Sequence, residues 1–188
     1  MSTINNPVLE AIANRRTTRG FADTPLTQEQ LDALMAAATA SPSAINLQSW
    51  HFTFCSEQAA IIELEQEVNR LIMSGSDEGA KQRMMARNGK AFYNAPTVIF
   101  ISSDAQSVWS ALDAGIAAEN LALAAYSMGL GSVIIGMCKR AFEGENGAVF
   151  AEKLHFPEGH KFSLAVAVGV PTVTKEAHPV GDNKITVM

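Results

Sequence analysis

Residues 120–138 read Asn-Leu-Ala-Leu-Ala-Ala-Tyr-Ser-Met-Gly-Leu-Gly-Ser-Val-Ile-Ile-Gly-Met-Cys, a run without a single charge. Its length approaches that of a bilayer span. Gly129, Gly131 and Gly136 interrupt it, however, and its character changes midway. LALAAYSM is Ala-rich and helix-prone, whereas SVII is β-branched and strand-prone. The stretch therefore reads as the end of a buried helix, a glycine turn and a buried strand around Ser132–Met137. Working upstream, the helix extends back to Trp109, apolar on nearly all sides, as expected of a central element. Before it, Pro96 introduces TVIFIS, a continuous apolar run suited to a strand covered on both faces.

The rest of the chain falls into line around this unit. Asn6-Pro7 opens a first helix, with Val8, Leu9 and Ile12 on one side. Thr27-Gln28-Glu29-Gln30 has capping-box spacing, and Leu31, Leu34, Met35 and Ala38 follow at helical intervals until Ser41-Pro42. The loop SPSAINLQSW leads into a short strand at His51–Cys55, and Ser56 is placed to cap a third helix through Ile61, Leu64, Val68 and Leu71. Gly75–Lys90 is the most polar stretch and is expected outside the main core. An exposed helix near Gly147–Leu154 precedes a last strand at Ser163–Val170, and a polar tail, Pro171–Met188, ends in KITVM. Long helices among few short strands, without linker or repeat, give one domain over residues 1–188, of the α+β or α/β class.

The chain has 188 residues and a mass of 20.1 kDa, with 47% of residues hydrophobic and 18% charged, so it buries a core. Its formal net charge of −5 argues against nucleic-acid backbone binding. Cys55 and Cys138 are too few for a disulfide scaffold and fit a reducing cytoplasm. Met1–Arg15 has no basic leader followed by an apolar stretch, and no membrane anchor is expected.

Most catalytic templates fail. His51, His155, His160 and His178 are scattered, and no ligand spacing for a metal is found. There is no GxSxG elbow and no phosphate loop of the GxxxxGK type. The glycines at 129, 131 and 136 follow a helix rather than a strand, so no dinucleotide-binding fingerprint exists.

Three features remain. Arg15-Arg16-Thr17-Thr18-Arg19 concentrates three guanidiniums within five residues of an acidic chain. They either complement a helix C-terminus or bind a phosphate dianion, since arginine can fork two oxygens. Pro42-Ser43-Ala44-Ile45-Asn46-Leu47-Gln48 is either an ordinary turn or a set of neutral groups suited to a polar heterocycle and polyol hydroxyls. Gly131–Gly136 either packs helix on strand or lets backbone approach a ligand. Phosphate, hydroxyl-bearing stem and flat polar ring together describe a flavin mononucleotide.

The ordered set of motifs resembles one family. RRTTRGF at Arg15–Phe21, SPSAINLQSWHF at Ser41–Phe52, FYNAP at Phe92–Pro96 and the block Asp113–Met137 are similar to the signatures of the FMN-dependent nitroreductases. The resemblance implies a nitroreductase-like fold, with a central mixed β-sheet flanked by helices, and an intertwined homodimer whose tail, residues 171–188, embraces the partner. It implies that Arg15, Arg16, Thr17 and Arg19 hold the phosphate and ribityl end of FMN, and that Pro42, Ser43, Ala44, Asn46 and Gln48 line the cofactor across the subunit boundary. Ile134, Ile135 and Gly136 would run beside the flavin N5, with no catalytic side chain beyond the Gly136 backbone. The basic residue after the last strand would be Lys175 or His178. NAD(P)H would reduce the flavin and a nitroaromatic, quinone or related acceptor would reoxidise it in ping-pong order. Flavin reduction, other divergent flavin chemistry, or flavin binding without turnover are the alternatives. Ser49 departs from the family's usual Pro after Gln, and Gly136 stands where some larger members have an acid.

Overall fold

The structure, a computed structural model, describes residues 6–188. The reading of Met1–Arg15 as leaderless falls partly on residues 1–5, outside the described residues. Helix α1 spans Pro7–Asn14 and is capped by Asn6, whose Oδ1 accepts the Val8 and Leu9 N–H groups at 3.1 and 3.0 Å. Helix α2 spans Gln28–Thr39 and opens with the reciprocal Thr27–Gln30 capping box. Then follow β1 (Trp50–Cys55), α3 (Gln58–Ser74), α4 (Glu78–Met85), β2 (Thr97–Asp104) and α5 (Ser110–Ser127). The chain continues through β3 (Gly131–Ile135), α6 (Lys139–Phe142), α7 (Gly147–Lys153) and β4 (His160–Gly169).

The four strands form one sheet in the order β1-β2-β4-β3, with every adjacent pair antiparallel. The expected mixed sheet is thus corrected to an antiparallel one. The α5 crossover does set β2 and β3 running the same way, but β4 inserts between them, so no two neighbouring strands are parallel. A single parallel bridge, Thr17 to Ser132, lies outside the named strands.

Side chains alternate across β2 to feed two cores. Val98 and Phe100 join Leu64, Val68, Phe92 and Ile135 beneath α3, α6 and α7, whereas Ile99 and Ile101 join Leu34, Ala118 and Leu121 beneath α2 and α5. Helices therefore cover both faces, as the apolar run at 97–102 implies.

Four local expectations change. Glu57, not Ser56, occupies the cap position of α3 without a side-chain bond, and Ser56 Oγ instead meets Thr97 Oγ1 at 2.9 Å. The polar stretch 75–90 is not wholly outside the core, because α4 seats Met84 there. Gly147, expected at an exposed helix start, is buried. Helix α5 buries only its alanine-rich face: Leu112 is 60% and Ile116 42% exposed, in line with Val108 one turn earlier. That apolar stripe, with Val8 and Ile12 of α1 also exposed, is the kind of surface a second chain covers. The tail beyond Val170 forms no strand or helix, and Val180, Ile185 and Val187 stand open. Both cysteines are free and buried, and burial pushes the Cys138 thiol pKa upward. No described helix is long and apolar enough to cross a membrane.

Candidate functional site

The arginine run leaves α1 and crosses the start of β3. Thr18 N–H donates to the Ser132 carbonyl at 2.8 Å, and Thr17 bridges Ser132, so the segment lies along the free edge of the sheet. Gly131 allows this approach: a Cβ there would fall 2.6–2.8 Å from Thr18 Oγ1, Cγ2 and Cβ. Beside the junction is a cleft of about 270 Å³ that gathers Arg15, Arg16, Thr17, Ser132 and Lys175. Of the two basic candidates after β4, the structure brings Lys175 to this cleft; His178 is not among its lining residues.

The three guanidiniums are not equivalent. Arg16 Nη1 donates to the Ala13 and Arg15 carbonyls at 2.8 Å each, which is the helix-terminating role open to it from sequence. Arg15 Nε is buried and lies 3.3 Å from Glu119 Oε1, without the alignment of a hydrogen bond, and it has no other partner among the described residues. A buried donor left in this condition is costly unless something accepts from it. Arg19 is exposed and does not line the cleft.

Downstream along β3 the side chains alternate. Ile135 is 2% exposed and belongs to the core, so only its backbone can face a ligand, while Ile134 and Gly136 point outward. An added Cβ at Gly136 would meet nothing within 4 Å, which leaves open space over the end of the strand.

The loop at 42–48 lies elsewhere. It precedes β1, the opposite edge of the sheet from β3, about 14 Å away by three strand spacings. Its backbone is strained: Ile45, Asn46 and Gln48 have φ of 45, 57 and 50°. Left-handed conformations of this kind cost about 1–3 kcal/mol each in non-glycine residues and persist only where the surroundings impose them. Here they do. Ser43 Oγ accepts the Gln48 N–H at 2.9 Å, Gln48 Nε2 donates to Asn46 Oδ1 at 3.0 Å, and Pro42 follows Ser41, whose Oγ accepts from Asn120 Nδ2 at 3.0 Å. Asp113 of α5, 2% exposed, accepts from Ala44 N–H at 3.0 Å and from Ser49 Oγ at 3.2 Å. Ile45 ends up 89% exposed, an apolar side chain displayed outward.

No sequence motif singles out Asp113, Asn120 or Ser132 as individual residues. A carboxylate in the first turn of an apolar helix is a signal for Asp113, because such a group survives burial only with donors to satisfy it. Replacing Asp113 with Ala should leave the Ala44 N–H and Ser49 hydroxyl unsatisfied, lower stability by about 2–3 kcal/mol, and raise proteolytic nicking at 43–48. Urea denaturation and timed proteolysis measure both.

The cofactor-binding residues expected from sequence thus form two groups that one chain does not join: Arg15, Arg16, Thr17, Lys175 and the Ile134–Gly136 edge on one side, Pro42–Gln48 on the other. Among the described residues no hydrogen bond or ion pair links them. A cavity of about 810 Å³ between the start of α5, α6, α7 and β4 contains none of them. No group of described His, Cys, Asp or Glu residues is arranged to hold a metal.

An antiparallel sheet sandwiched by helices, with an arginine run on one free edge and a strained polar loop on the other, defines the class. Residues 12–170 match the nitroreductase family, and the chain belongs to it. It is similar to an FMN-bound nitroreductase from Desulfitobacterium hafniense, with a TM-score of 0.94 and 32% identity over 98% of this chain and 100% of the other. An FMN-bound nitroreductase from Bacteroides fragilis superposes with a TM-score of 0.88 at 26% identity, covering 98% and 100%. A relative from Methanothermobacter thermautotrophicus, provisionally named NADH dehydrogenase/NAD(P)H nitroreductase, is 31% identical over 69% of this chain but only 61% of its own length. The chain therefore spans about three-fifths of that relative.

Proposed function

We propose that the protein is an FMN-dependent NAD(P)H oxidoreductase that reduces nitroaromatic, quinone or related acceptors and works as a homodimer with two shared sites. The observation that carries this reading is the cleft in which Arg15, Arg16, Thr17 and Lys175 converge, with the Arg15 Nε buried and unsatisfied. The cations suit a terminal phosphate, and the open space over Gly136 suits the approach of a flat ring. The residues present fit FMN.

FMN, when bound, supplies two-electron transfer between a nicotinamide donor and an oxidised acceptor. The chain positions it. Arg15, Arg16 and Lys175 attract and orient the phosphate, Thr17 offers a hydroxyl, and Arg19 adds positive field at the rim. The outward face of Ile134 and the Gly136 backbone would provide the surface for the ring, and the Gly136 N–H would serve as a preorganised dipole of the kind that stabilises developing charge. Ser43, Asn46 and Gln48 of a second copy close the other side and exclude water. The free, buried cysteines suit a reducing cytoplasm.

The names of relatives support a broad acceptor class: a Bacillus subtilis protein named FMN reductase [NAD(P)H] is 29% identical over 70% of this chain. Free flavin therefore belongs on the acceptor panel. Arg15→Ala should weaken FMN binding by about one to two decades, the loss of one charge-assisted contact, measured by fluorescence titration of the apoprotein. The reading itself is tested by colour. The purified protein should be yellow, bleach anaerobically with NADH or NADPH, and regain colour on adding a quinone or nitroaromatic. Yellow protein inert to both nucleotides would reduce the function to flavin carriage, and colourless protein that takes up no FMN would end the proposal.

A further inference from the structure

Helix α4 and the turn after β3 form a second basic cleft away from the Arg15 junction. It has a volume of about 220 Å³ and is lined by Asp77, Arg83, Arg87 and Arg140 over a floor that includes Met84 and Met137. Arg87 is fixed in place. Its Nε donates to the Arg83 carbonyl at 2.8 Å, its Nη1 donates to Tyr93 Oη at 2.8 Å and lies 3.6 Å from Met137 Sδ, and its guanidinium sits 5.4 Å over the Tyr93 ring. Arg83 and Arg140 are looser: their Nη2 atoms stand 3.9 and 4.0 Å from the same Asp77 oxygen, at the limit of an ion pair.

The charges do not balance. Asp77 is the N-cap of α4, and its carboxyl is held below its usual range first by the Ala80 N–H and then by Arg83 and Arg140. It stays ionised near neutral pH and offsets one of three guanidiniums. Two positive charges are left facing a partly apolar hollow, in a chain whose net charge is −5. Surface arginines scattered at random would separate to reduce repulsion; three converging on one carboxylate, one of them held by hydrogen bonds, form a receptor for anionic oxygens. Met137 directly follows Gly136, so the hollow adjoins the end of β3 where the ring is proposed to lie.

We infer that Arg83, Arg87 and Arg140 bind the anionic oxygen group of a molecule that exchanges electrons at the adjoining site, which makes this cleft a determinant of substrate choice. The inference rests on the proposed function for the nature of the neighbouring site, though not for anion binding itself. Two sources supply the same chemistry: a carboxylate on a small aromatic acceptor, or the 2′-phosphate of NADPH. A 220 Å³ hollow beside the ring fits a carboxylate-bearing aromatic better than an adenosine phosphate.

The test compares the FMN-loaded wild type with Arg83→Gln/Arg140→Gln, both positions being at the surface with side chains 65% and 49% exposed. Calorimetric titration with 4-nitrobenzoate should show affinity falling about tenfold or more in the double variant, with wild-type affinity also falling as salt rises. The KM for 4-nitrobenzoate should rise similarly while that for uncharged nitrobenzene stays unchanged. If instead the NADPH-to-NADH preference collapses and both acceptors behave alike, the anionic group is the nucleotide phosphate and the cleft's role as an anion determinant stands. If the double variant, folded by its unfolding midpoint, binds and turns over all four compounds as wild type does, the inference is overturned. Because 4-nitrobenzoate binding is read by heat, it can fail while FMN still bleaches, or succeed where bleaching fails, so the two proposals stand or fall apart.

Discussion

Gly131→Val is expected to weaken FMN binding more than any loss of a single arginine, by about a hundredfold or more. The reason is positional. Thr18 presses its side chain against Gly131, and the prospective Cβ lies 2.6–2.8 Å from three of its atoms, one of them Thr18 Cβ itself. A side chain that close cannot be accommodated by rotation; the Thr18 backbone must move off the strand. With it go the Thr18-to-Ser132 hydrogen bond and the placement of Arg15, Arg16 and Thr17. Arg15→Ala removes one contact of roughly 1.5–3 kcal/mol, whereas Gly131→Val displaces several together. Fluorescence titration of refolded apoprotein, with circular dichroism to confirm the fold, reads the difference. An affinity equal to that of wild type would mean that the segment does not hold the cofactor.

The second large effect falls on stability. Gly147→Val should lower the unfolding free energy by about 3 kcal/mol or more, at the upper end of overpacking costs, and the variant is expected to accumulate in the insoluble fraction. An added Cβ would collide with the Phe142 carbonyl oxygen and sit 2.7 Å from its carbon, both backbone atoms of α6. Phe142 is itself stacked on Phe162 with ring centroids 4.6 Å apart, so it cannot retreat without opening the core. Urea denaturation of whatever folds gives the magnitude. A wild-type midpoint would show that α6 and α7 can separate freely.

Gly147 marks a limit of reading from sequence. Its neighbours Glu143, Glu145 and Asn146 are polar, which suggests an exposed helix start, yet its burial comes from a contact with the preceding helix that local composition does not encode. The same holds for Ser56, whose hydroxyl finds Thr97 across 41 residues instead of capping its own helix. Signals that are local, by contrast, were legible. The Thr27–Gln30 capping box, the Asn6-Pro7 start and the doubly apolar strand at 97–102 each depend on neighbours in sequence. Antiparallel pairing throughout was not legible, because β4 enters between β2 and β3 from the far end of the chain. At the candidate site, residue type indicated the arginine run and the polar loop. It did not indicate which of the three arginines would terminate α1, that Ile135 faces inward, or that Asp113 anchors the loop.

The separation of the two halves of the site gives the account its sharpest consequence. Arg15 and Lys175 flank one edge of the sheet and Pro42–Gln48 precedes the other, while Leu112 and Ile116 of α5 and Val180, Ile185 and Val187 of the otherwise polar tail are apolar and exposed. The proposed dimer, covering these surfaces, would bring the loop of one copy to the arginines of the other, over an interface above the roughly 2,000 Å² of permanent assemblies. Light scattering coupled to size-exclusion chromatography, with FMN absorbance recorded across the peak, tests this directly. The expected result is a single species at twice the 20.1 kDa chain mass carrying one FMN per chain. A monomer at micromolar concentration that still holds FMN would contradict it.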